Sequence, residues 1–129
     1  AVETNKINKL RRDAIIEFGK LTLEQMRKCL RLYGVRPDNM SNELIESTLF
    51  DLVDKQPKKF FTKWVDNKSK DTEYIIEEAI VKGIIRKERT QYYYGTEMFA
   101  DTIEDAVSYL DSKKNQDLKL SIINEIKNK

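Results

Sequence analysis

Apolar residues recur every three or four positions through the first half of the chain, which is the spacing of amphipathic helices. A first helix is predicted to begin near Thr4, which would cap it, and to end at Gly19. Thr22 and Gln25 have the spacing of a capping box, so a second helix is predicted to begin there and to end at Gly34. The side chains that these two helices should bury are Ile7, Leu10, Ala14, Ile15 and Phe18 in the first and Leu23, Met26, Cys29, Leu30 and Tyr33 in the second.

Two more helices are predicted before a polar stretch. Ser41 is placed to cap a third helix, and Pro57 suits the first turn of a short fourth helix, where its missing amide proton costs no hydrogen bond. Residues 66–71 contain no apolar side chain, which is typical of a hinge. We therefore expect subdomains at 1–66 and 67–129, or one compact unit that contains both. The residues predicted to be buried on the third and fourth helices are Leu44, Ile45, Thr48, Leu49, Leu52 and Val53, then Phe60, Phe61, Trp64 and Val65.

Three helices are predicted in the second half. Thr72 is a candidate cap for a helix that Gly83 stops. Thr102 followed by Asp105 marks the start of another helix, and a last helix is predicted from about Asn115. Their predicted apolar stripes are Ile75, Ile76, Ala79 and Ile80, then Ile103, Ala106, Val107 and Leu110, then Leu118, Ile122, Ile123 and Ile126.

Between these helices the apolar period changes. Residues 84–87 and 91–94 are rich in isoleucine and tyrosine and flank a polar turn, which predicts one β-hairpin. The fold class that we expect is therefore α+β, mainly α. It would combine a small helical domain, built around a helix, an extended loop and a helix, with a winged-helix-like half that carries the β-hairpin.

Composition narrows the function mainly by excluding chemistry. The 129 residues include no His and one Cys, so zinc sites, iron–sulfur sites and His-dependent catalysis are excluded. The sequence has neither a GxxxxGK[ST] nor a GxGxxG motif for nucleotide phosphates. We therefore expect a non-enzymatic protein with no catalytic residues, no cofactor, no metal and no small-molecule substrate. The carboxylates left for acid–base chemistry fall on predicted solvent faces, and they are Glu77 with Glu78, Glu104 with Asp105, and Asp51 with Asp54.

The chain also lacks the patterns of a membrane protein. Its uninterrupted apolar runs are only a few residues long, whereas a membrane-spanning helix takes about 20. Its first ten residues have no apolar segment of the kind found in secretory signals. We expect no membrane partner and a cytoplasmic location.

Residues 21–53, LTLEQMRKCLRLYGVRPDNMSNELIESTLFDLV, resemble the helix-extended loop-helix family that includes SAP and LEM domains. Members of this family bind DNA, RNA or proteins, so the resemblance implies a binding function. DNA-binding SAP domains have a basic, glycine-containing loop where this chain has residues 38–42, DNMSN, and this difference weakens a DNA interpretation. The positions that carry the resemblance are Leu23, Met26, Leu30, Gly34, Val35, Glu43, Leu44, Ile45 and Leu49.

The second half resembles segments of tailed-bacteriophage structural proteins. The likeness lies in AIVKGII and YYYG, followed by TIEDAVSYL and NQDLK. It implies a structural or assembly component of a bacteriophage particle, located in the virion or in the cytoplasm of an infected bacterial host. Such a component would act through contacts with other protein subunits.

Three consecutive tyrosines, Tyr92, Tyr93 and Tyr94, are the candidate partner interface. On a strand Tyr92 and Tyr94 point to one face and Tyr93 to the other, so at most two of them can enter a core on one face. An exposed tyrosine offers a large contact area at a small cost in entropy. The unpaired edges of a hairpin could also recruit a neighbouring chain by strand addition. A purely structural role for the tyrosines, in the core and at the sheet edge, stands beside these interpretations.

The alternative function is nucleic-acid binding by the basic face of the helix-extended loop-helix. Arg27, Arg31 and Arg36 are the candidate contacts, because basic side chains neutralise phosphates and release counterions. The chain has 24 Lys and Arg against 22 Asp and Glu, a net charge of +2. A solvated face of mixed charge therefore remains the competing interpretation of these arginines.

Overall fold

The computed structural model describes the backbone of residues 2–129 and the side chains of residues 8–129. The chain divides into two compact units, Ala1–Lys68 and Ser69–Lys129. The described residues form mainly helices with one small antiparallel sheet, so the predicted α+β, mainly α class is confirmed. None of the described helices is long and apolar enough to cross a membrane.

Over its described residues, 2–68, the first unit contains four α-helices. They are α1 (Val2–Phe18), α2 (Leu23–Leu32), α3 (Asn42–Lys55) and the short α4 (Pro57–Phe60), which continues into a π-helical turn over Phe61–Val65. The α1 helix already includes Thr4, so the prediction that Thr4 caps it is wrong. Ile7, predicted to be buried on α1, lies outside the residues whose side chains are described.

The predicted caps of α2 and α3 are confirmed. The Gln25 amide donates to Thr22 Oγ1 at 3.2 Å, and the Thr22 amide donates to Gln25 Oε1 at 2.9 Å, which completes the capping box. The Ser41 hydroxyl accepts from the Leu44 amide at 3.2 Å. Gly34, just after α2, has a φ of 88°, a conformation that glycine adopts without strain.

The first unit buries one side of each helix. Its fully buried apolar side chains include Ala14, Cys29, Leu30, Ile45, Leu49, Val53 and Phe60, and Trp64 is almost completely buried. Leu44 was predicted to be buried but is 49% exposed. The buried stripe of α3 follows Ile45, Leu49 and Val53 at intervals of four, and Leu44 precedes this stripe by one position, about 100° around the helix.

In the chain order of the second unit, three strands follow the first helix and precede the last two helices. Its elements are α5 (Lys70–Val81), β1 (Ile85–Glu88), β2 (Gln91–Tyr94), β3 (Glu97–Ala100), α6 (Ile103–Asp111), a 3₁₀ turn (Lys113–Asn115) and α7 (Gln116–Asn128). The sheet is antiparallel in the order β1-β2-β3. The predicted hairpin corresponds to β1 and β2, and the prediction of a single hairpin is wrong because β3 adds a third strand.

The helices α5, α6 and α7 cover one face of this sheet. The core they enclose consists of Ile76, Ala79, Ile85, Tyr92, Ala100, Ala106, Val107, Leu110 and Ile122. The predicted cap of α6 is confirmed, since Thr102 Oγ1 accepts from the Asp105 amide at 3.1 Å. The predicted cap of α5 is wrong: α5 begins at Lys70, and Thr72 lies buried in its first turn.

Candidate protein-binding surfaces

The three consecutive tyrosines have three different environments. Tyr92 is 2% exposed and belongs to the core, so it is not accessible to a partner. Tyr94 packs against the same core from its margin and donates a hydrogen bond to Glu125 Oε2 at 3.1 Å. Burial, and then the Glu125 carboxylate, raise the pKa of Tyr94. Of the three, only Tyr93 points to the opposite face. The predicted interface of three tyrosines therefore reduces to Tyr93 and the exposed part of Tyr94.

A row of three side chains crosses the open face of the sheet. Tyr93 pairs with Arg86 of β1 on one side and with Met98 of β3 on the other. The Arg86 guanidinium lies over the Tyr93 ring, 4.6 Å from its centroid, and the Tyr93 hydroxyl donates to Gln91 Oε1 at 3.0 Å. Met98 is 46% exposed. The face thus presents an ordered aromatic ring next to an exposed thioether.

The strand β3 forms one edge of the sheet. Tyr94 and Glu97 flank a two-residue turn and therefore form a hydrogen-bonded pair, which makes the next pair, Tyr93 with Met98, a non-hydrogen-bonded one. The amide and carbonyl of Met98 consequently point away from β2. Beyond Met98 the register shifts, so that Phe99 and Ala100 together oppose Tyr92 as a β-bulge. The outward amide and carbonyl of Met98 can pair with another extended segment.

A groove of about 470 Å³ runs between β3 and α6. We call it the strand groove. The Phe99 and Tyr109 rings lie 5.4 Å apart, centroid to centroid, and give it an aromatic wall. Asp101 and Asp105 add carboxylates. The residues that line the strand groove are Met98, Phe99, Ala100, Asp101, Asp105, Ser108, Tyr109, Ser112 and Asn115.

The candidate nucleic-acid face does not form as predicted, because Arg31 is only 3% exposed. Arg31 Nη2 donates to both carboxylate oxygens of Asp38, each at 3.2 Å. Asp38 lies in the loop after α2. This loop covers a side of α2 that the apolar pattern of the helix predicts to be exposed. Arg31 is therefore part of the interior of the first unit and is not available to a phosphate.

The other two arginines of that face remain at the surface. Arg27 is exposed and its Nη2 is 3.5 Å from Asn42 Oδ1 at the start of α3. Arg36 is exposed in the loop between α2 and α3. Without Arg31 the predicted face retains only the guanidinium groups of Arg27 and Arg36.

A polar cluster, in which Thr72 is buried and Asp111 is largely exposed, joins the three helices of the second unit. The Thr72 hydroxyl donates to Asp111 Oδ1 at 2.7 Å, and Lys119 Nζ donates to Asp111 Oδ1 at 2.9 Å and to Thr72 Oγ1 at 3.2 Å. Burial by itself would raise the pKa of Asp111, but the hydrogen bonds from Thr72 and Lys119 and the charge of Lys119 outweigh it, and the pKa is lowered. Each group is engaged by the other two, so the cluster fixes helix positions.

In none of the three described carboxylate pairs considered for acid–base chemistry are both side chains buried. Glu104, Asp105 and Asp51 are exposed as predicted. Glu78 was predicted to face solvent but is buried, because α5 contacts α6, α7 and β1 and is covered on more than one side. Among the described residues, no three Cys, Asp or Glu side chains gather into a group that could hold a metal ion.

The residues that form the strand groove are not among the site residues that the sequence pattern predicts. They include Met98, Phe99 and Tyr109. A signal for β3 was present, since Gly95 and Thr96 form a two-residue link between Tyr94 and Glu97 and the residues that follow, EMFA, contain two large apolar side chains.

Comparison with known proteins adds no assignment to these surfaces: no family model matches the chain, and no curated protein and no solved structure does either.

Proposed function

We propose that this protein is a non-enzymatic assembly component that binds other protein subunits through the strand groove. The observation that supports the proposal most directly is the open edge of β3 beside an aromatic groove. An extended segment that pairs with the outward amide and carbonyl of Met98 would lie directly above Phe99 and Tyr109. This combination of edge pairing with side-chain pockets is how many domains bind extended peptides.

The groove also defines the chemistry of the segment that it would bind. Alternate side chains of an added strand point to the same side, so every second residue would enter the groove. The Phe99 and Tyr109 rings favour an apolar side chain there, and the Asp101 and Asp105 carboxylates favour a Lys or Arg. The expected partner segment is thus extended, with an apolar and a basic residue two positions apart.

Selection from a library of random ten-residue peptides, displayed on phage and presented to the full chain, tests this proposal. Enriched peptides should share an apolar and a basic residue two positions apart, and after synthesis their dissociation constants can be measured by calorimetry. Met98→Pro removes the outward amide but no hydrogen bond to β2, and edge strands tolerate proline. This variant should weaken binding about tenfold or more.

Met98→Ala is the matched control, because it shortens the same side chain but keeps the amide. It should weaken peptide binding less than Met98→Pro does. Circular dichroism of both variants must match that of the unchanged protein. Peptides that bind the Met98→Pro variant as tightly as the unchanged protein, or a selection with no enrichment, would contradict the proposal.

The assembly that the sequence resemblance suggests is a bacteriophage particle, in the virion or in the host cytoplasm. A structural subunit is incorporated in fixed proportion to its neighbours. Sedimentation of particles from infected cells, with the chain quantified by mass spectrometry, should recover it at a constant ratio to the other particle proteins. Recovery of the chain only as a free monomer would argue against this part of the proposal.

A further inference from the structure

The strand groove belongs to the second unit, and the first unit has a candidate binding surface of its own. A groove of about 280 Å³ lies on the outer side of α3 next to the end of α1. We call it the acidic groove, and it is lined by Phe18, Glu43, Glu46, Ser47, Phe50 and Asp51. We propose that the acidic groove docks a basic amphipathic helix of a partner protein.

The floor of the acidic groove is aromatic. Phe18 is buried and Phe50 is 38% exposed. Their rings meet edge to face, with centroids 5.8 Å apart and planes inclined at 65°. Because Phe18 holds the ring of Phe50 in place, a partner would find a rigid apolar surface that loses little entropy on binding.

The rim of the groove carries one sign of charge. Glu43, Glu46 and Asp51 are exposed on α3 around Phe50, and in the described part of the chain no basic side chain forms a salt bridge with any of them. Asp54, one turn further along α3, is paired with Arg11 at 2.6 Å. With the residues whose side chains are described, the rim therefore has three carboxylates that form no salt bridge, although the chain as a whole has a net charge of +2.

This charge pattern identifies the occupant as basic. A basic ligand would be repelled by the average charge of the chain, so attraction to this groove must come from the local carboxylates. The positions 43, 46, 47, 50 and 51 follow the spacing of one helix face, and the groove runs along a helix. An amphipathic helix with an apolar anchor on Phe50 and Lys or Arg on either side matches this geometry.

The test uses a fluorescein-labelled helical peptide of 18 residues with leucine on one face and lysine on the other. The control peptide has glutamate in place of every lysine. Fluorescence anisotropy with the full chain should show saturable binding of the Leu/Lys peptide, weakening as salt is raised, and much weaker binding of the Leu/Glu peptide. Phe50→Ala should weaken binding of the Leu/Lys peptide about fivefold to tenfold, as expected for a central aromatic anchor.

A charge-matched pair of variants separates a specific groove from general attraction. Glu43→Lys with Glu46→Lys should weaken binding about tenfold or more, and Glu24→Lys with Asp66→Lys, which changes the net charge equally at exposed positions outside the groove, should weaken it much less. Equal weakening by the two double variants would overturn the proposal. So would unchanged binding to Phe50→Ala.

A second copy of the chain is the competing occupant of the acidic groove. Light scattering across a concentration series distinguishes it, because self-association that Phe50→Ala abolishes would overturn the proposal in favour of a homodimer. The Met98→Pro variant should bind the Leu/Lys peptide as the unchanged protein does. The two proposals therefore succeed or fail separately.

Discussion

Arg31 and Asp38 form an ion pair in which a buried guanidinium reaches an exposed carboxylate. The side chain of Arg31 is 4% exposed and that of Asp38 is 61% exposed, and both carboxylate oxygens lie 3.2 Å from Arg31 Nη2. The pair ties the loop after α2 to the helix itself. A residue predicted to bind phosphate is therefore committed to holding the helix-extended loop-helix together.

Asp38→Ala should destabilise the first unit. The substitution leaves the buried Arg31 charge with one carboxylate fewer, and the expected loss in the free energy of unfolding is about 2 kcal/mol, as for hydrogen bonds to charged groups. Urea denaturation followed by circular dichroism measures it. Arg36→Ala, in the same loop but exposed, is the control and should change stability by less than about 0.5 kcal/mol. Equal effects of the two variants would contradict a structural role for the pair.

Asp111→Asn should flatten the acid dependence of stability in the second unit. The pKa of Asp111 is lowered in the folded state by Thr72 and Lys119 in spite of burial. The contribution of the Asp111 carboxylate to the free energy of unfolding is therefore complete above the pH at which an unfolded Asp titrates, about 4. This contribution is lost as the pH falls through the pKa that Asp111 has in the folded protein, which is lower. The difference in unfolding free energy between the unchanged protein and the variant should shrink from pH 6 toward about pH 2.

Ser121→Ala serves as the reference for the acid titration, since Ser121 is exposed and outside the cluster and neither side chain carries an acidic group. Its stability difference from the unchanged protein should vary less over the same pH range. An Asp111→Asn difference that stays constant with pH would show that the Asp111 carboxylate does not act through its charge.

Tyr33→Phe should leave the first unit as stable as before or more stable. The Tyr33 hydroxyl is buried, and no hydrogen-bond partner for it exists among the described residues. Burial, and then Cys29, raise the pKa of Tyr33 well above its ordinary value. Removing a buried hydroxyl that makes no hydrogen bond relieves its desolvation cost, about 1 kcal/mol or more.

Tyr94→Phe provides the opposite case in the second unit. It removes the hydrogen bond to Glu125 and should lower the free energy of unfolding by about 1 kcal/mol. Thermal unfolding of both variants, followed by circular dichroism, measures whether each substitution raises or lowers the stability of the protein. A loss of stability in Tyr33→Phe as large as that in Tyr94→Phe would contradict the contrast between the two hydroxyls.

Gly34→Ala should destabilise the turn after α2. A Cβ at residue 34 would meet nothing within 4 Å, but the φ of 88° costs an alanine about 1 kcal/mol. Gly19→Ala is the matched substitution at the end of α1, where φ is not positive, and should be neutral or slightly stabilising. Denaturation midpoints of the two variants that coincide would rule out backbone strain as the cause.

Local signals predicted the parts of the fold that are decided locally. Thr22, Ser41 and Thr102 cap helices as their sequences indicate, because a cap needs only its own helix. Thr72 has the same appearance in the sequence, yet its hydroxyl bonds to Asp111, 39 residues away. Since Lys119 completes that cluster from α7, no local pattern around Thr72 could separate it from a cap.

The candidate sites were harder to predict because exposure depends on what a segment packs against. Arg31 lies next to the buried stripe of α2, and the helical pattern alone predicts that it is exposed. It is buried because the loop that carries Asp38 packs over it. The alternation of side chains along a strand correctly places Tyr93 on the face opposite to Tyr92 and Tyr94. The strand groove could not be predicted in this way, because it forms only where β3 and α6 lie side by side. The sequence pattern predicted which residues share a face, and only the assembled unit shows which faces stay open.

Because Cys29 is buried, its reaction with a thiol reagent can be used to measure the opening of the first unit. Cys29 is the sole thiol of the sequence and is fully buried in the first unit, so a thiol reagent can modify it only when that unit opens locally or globally. The second unit contains no cysteine and stays silent in such an experiment. The rate of labelling therefore measures how often one half of the molecule exposes its interior, with no label or substitution introduced.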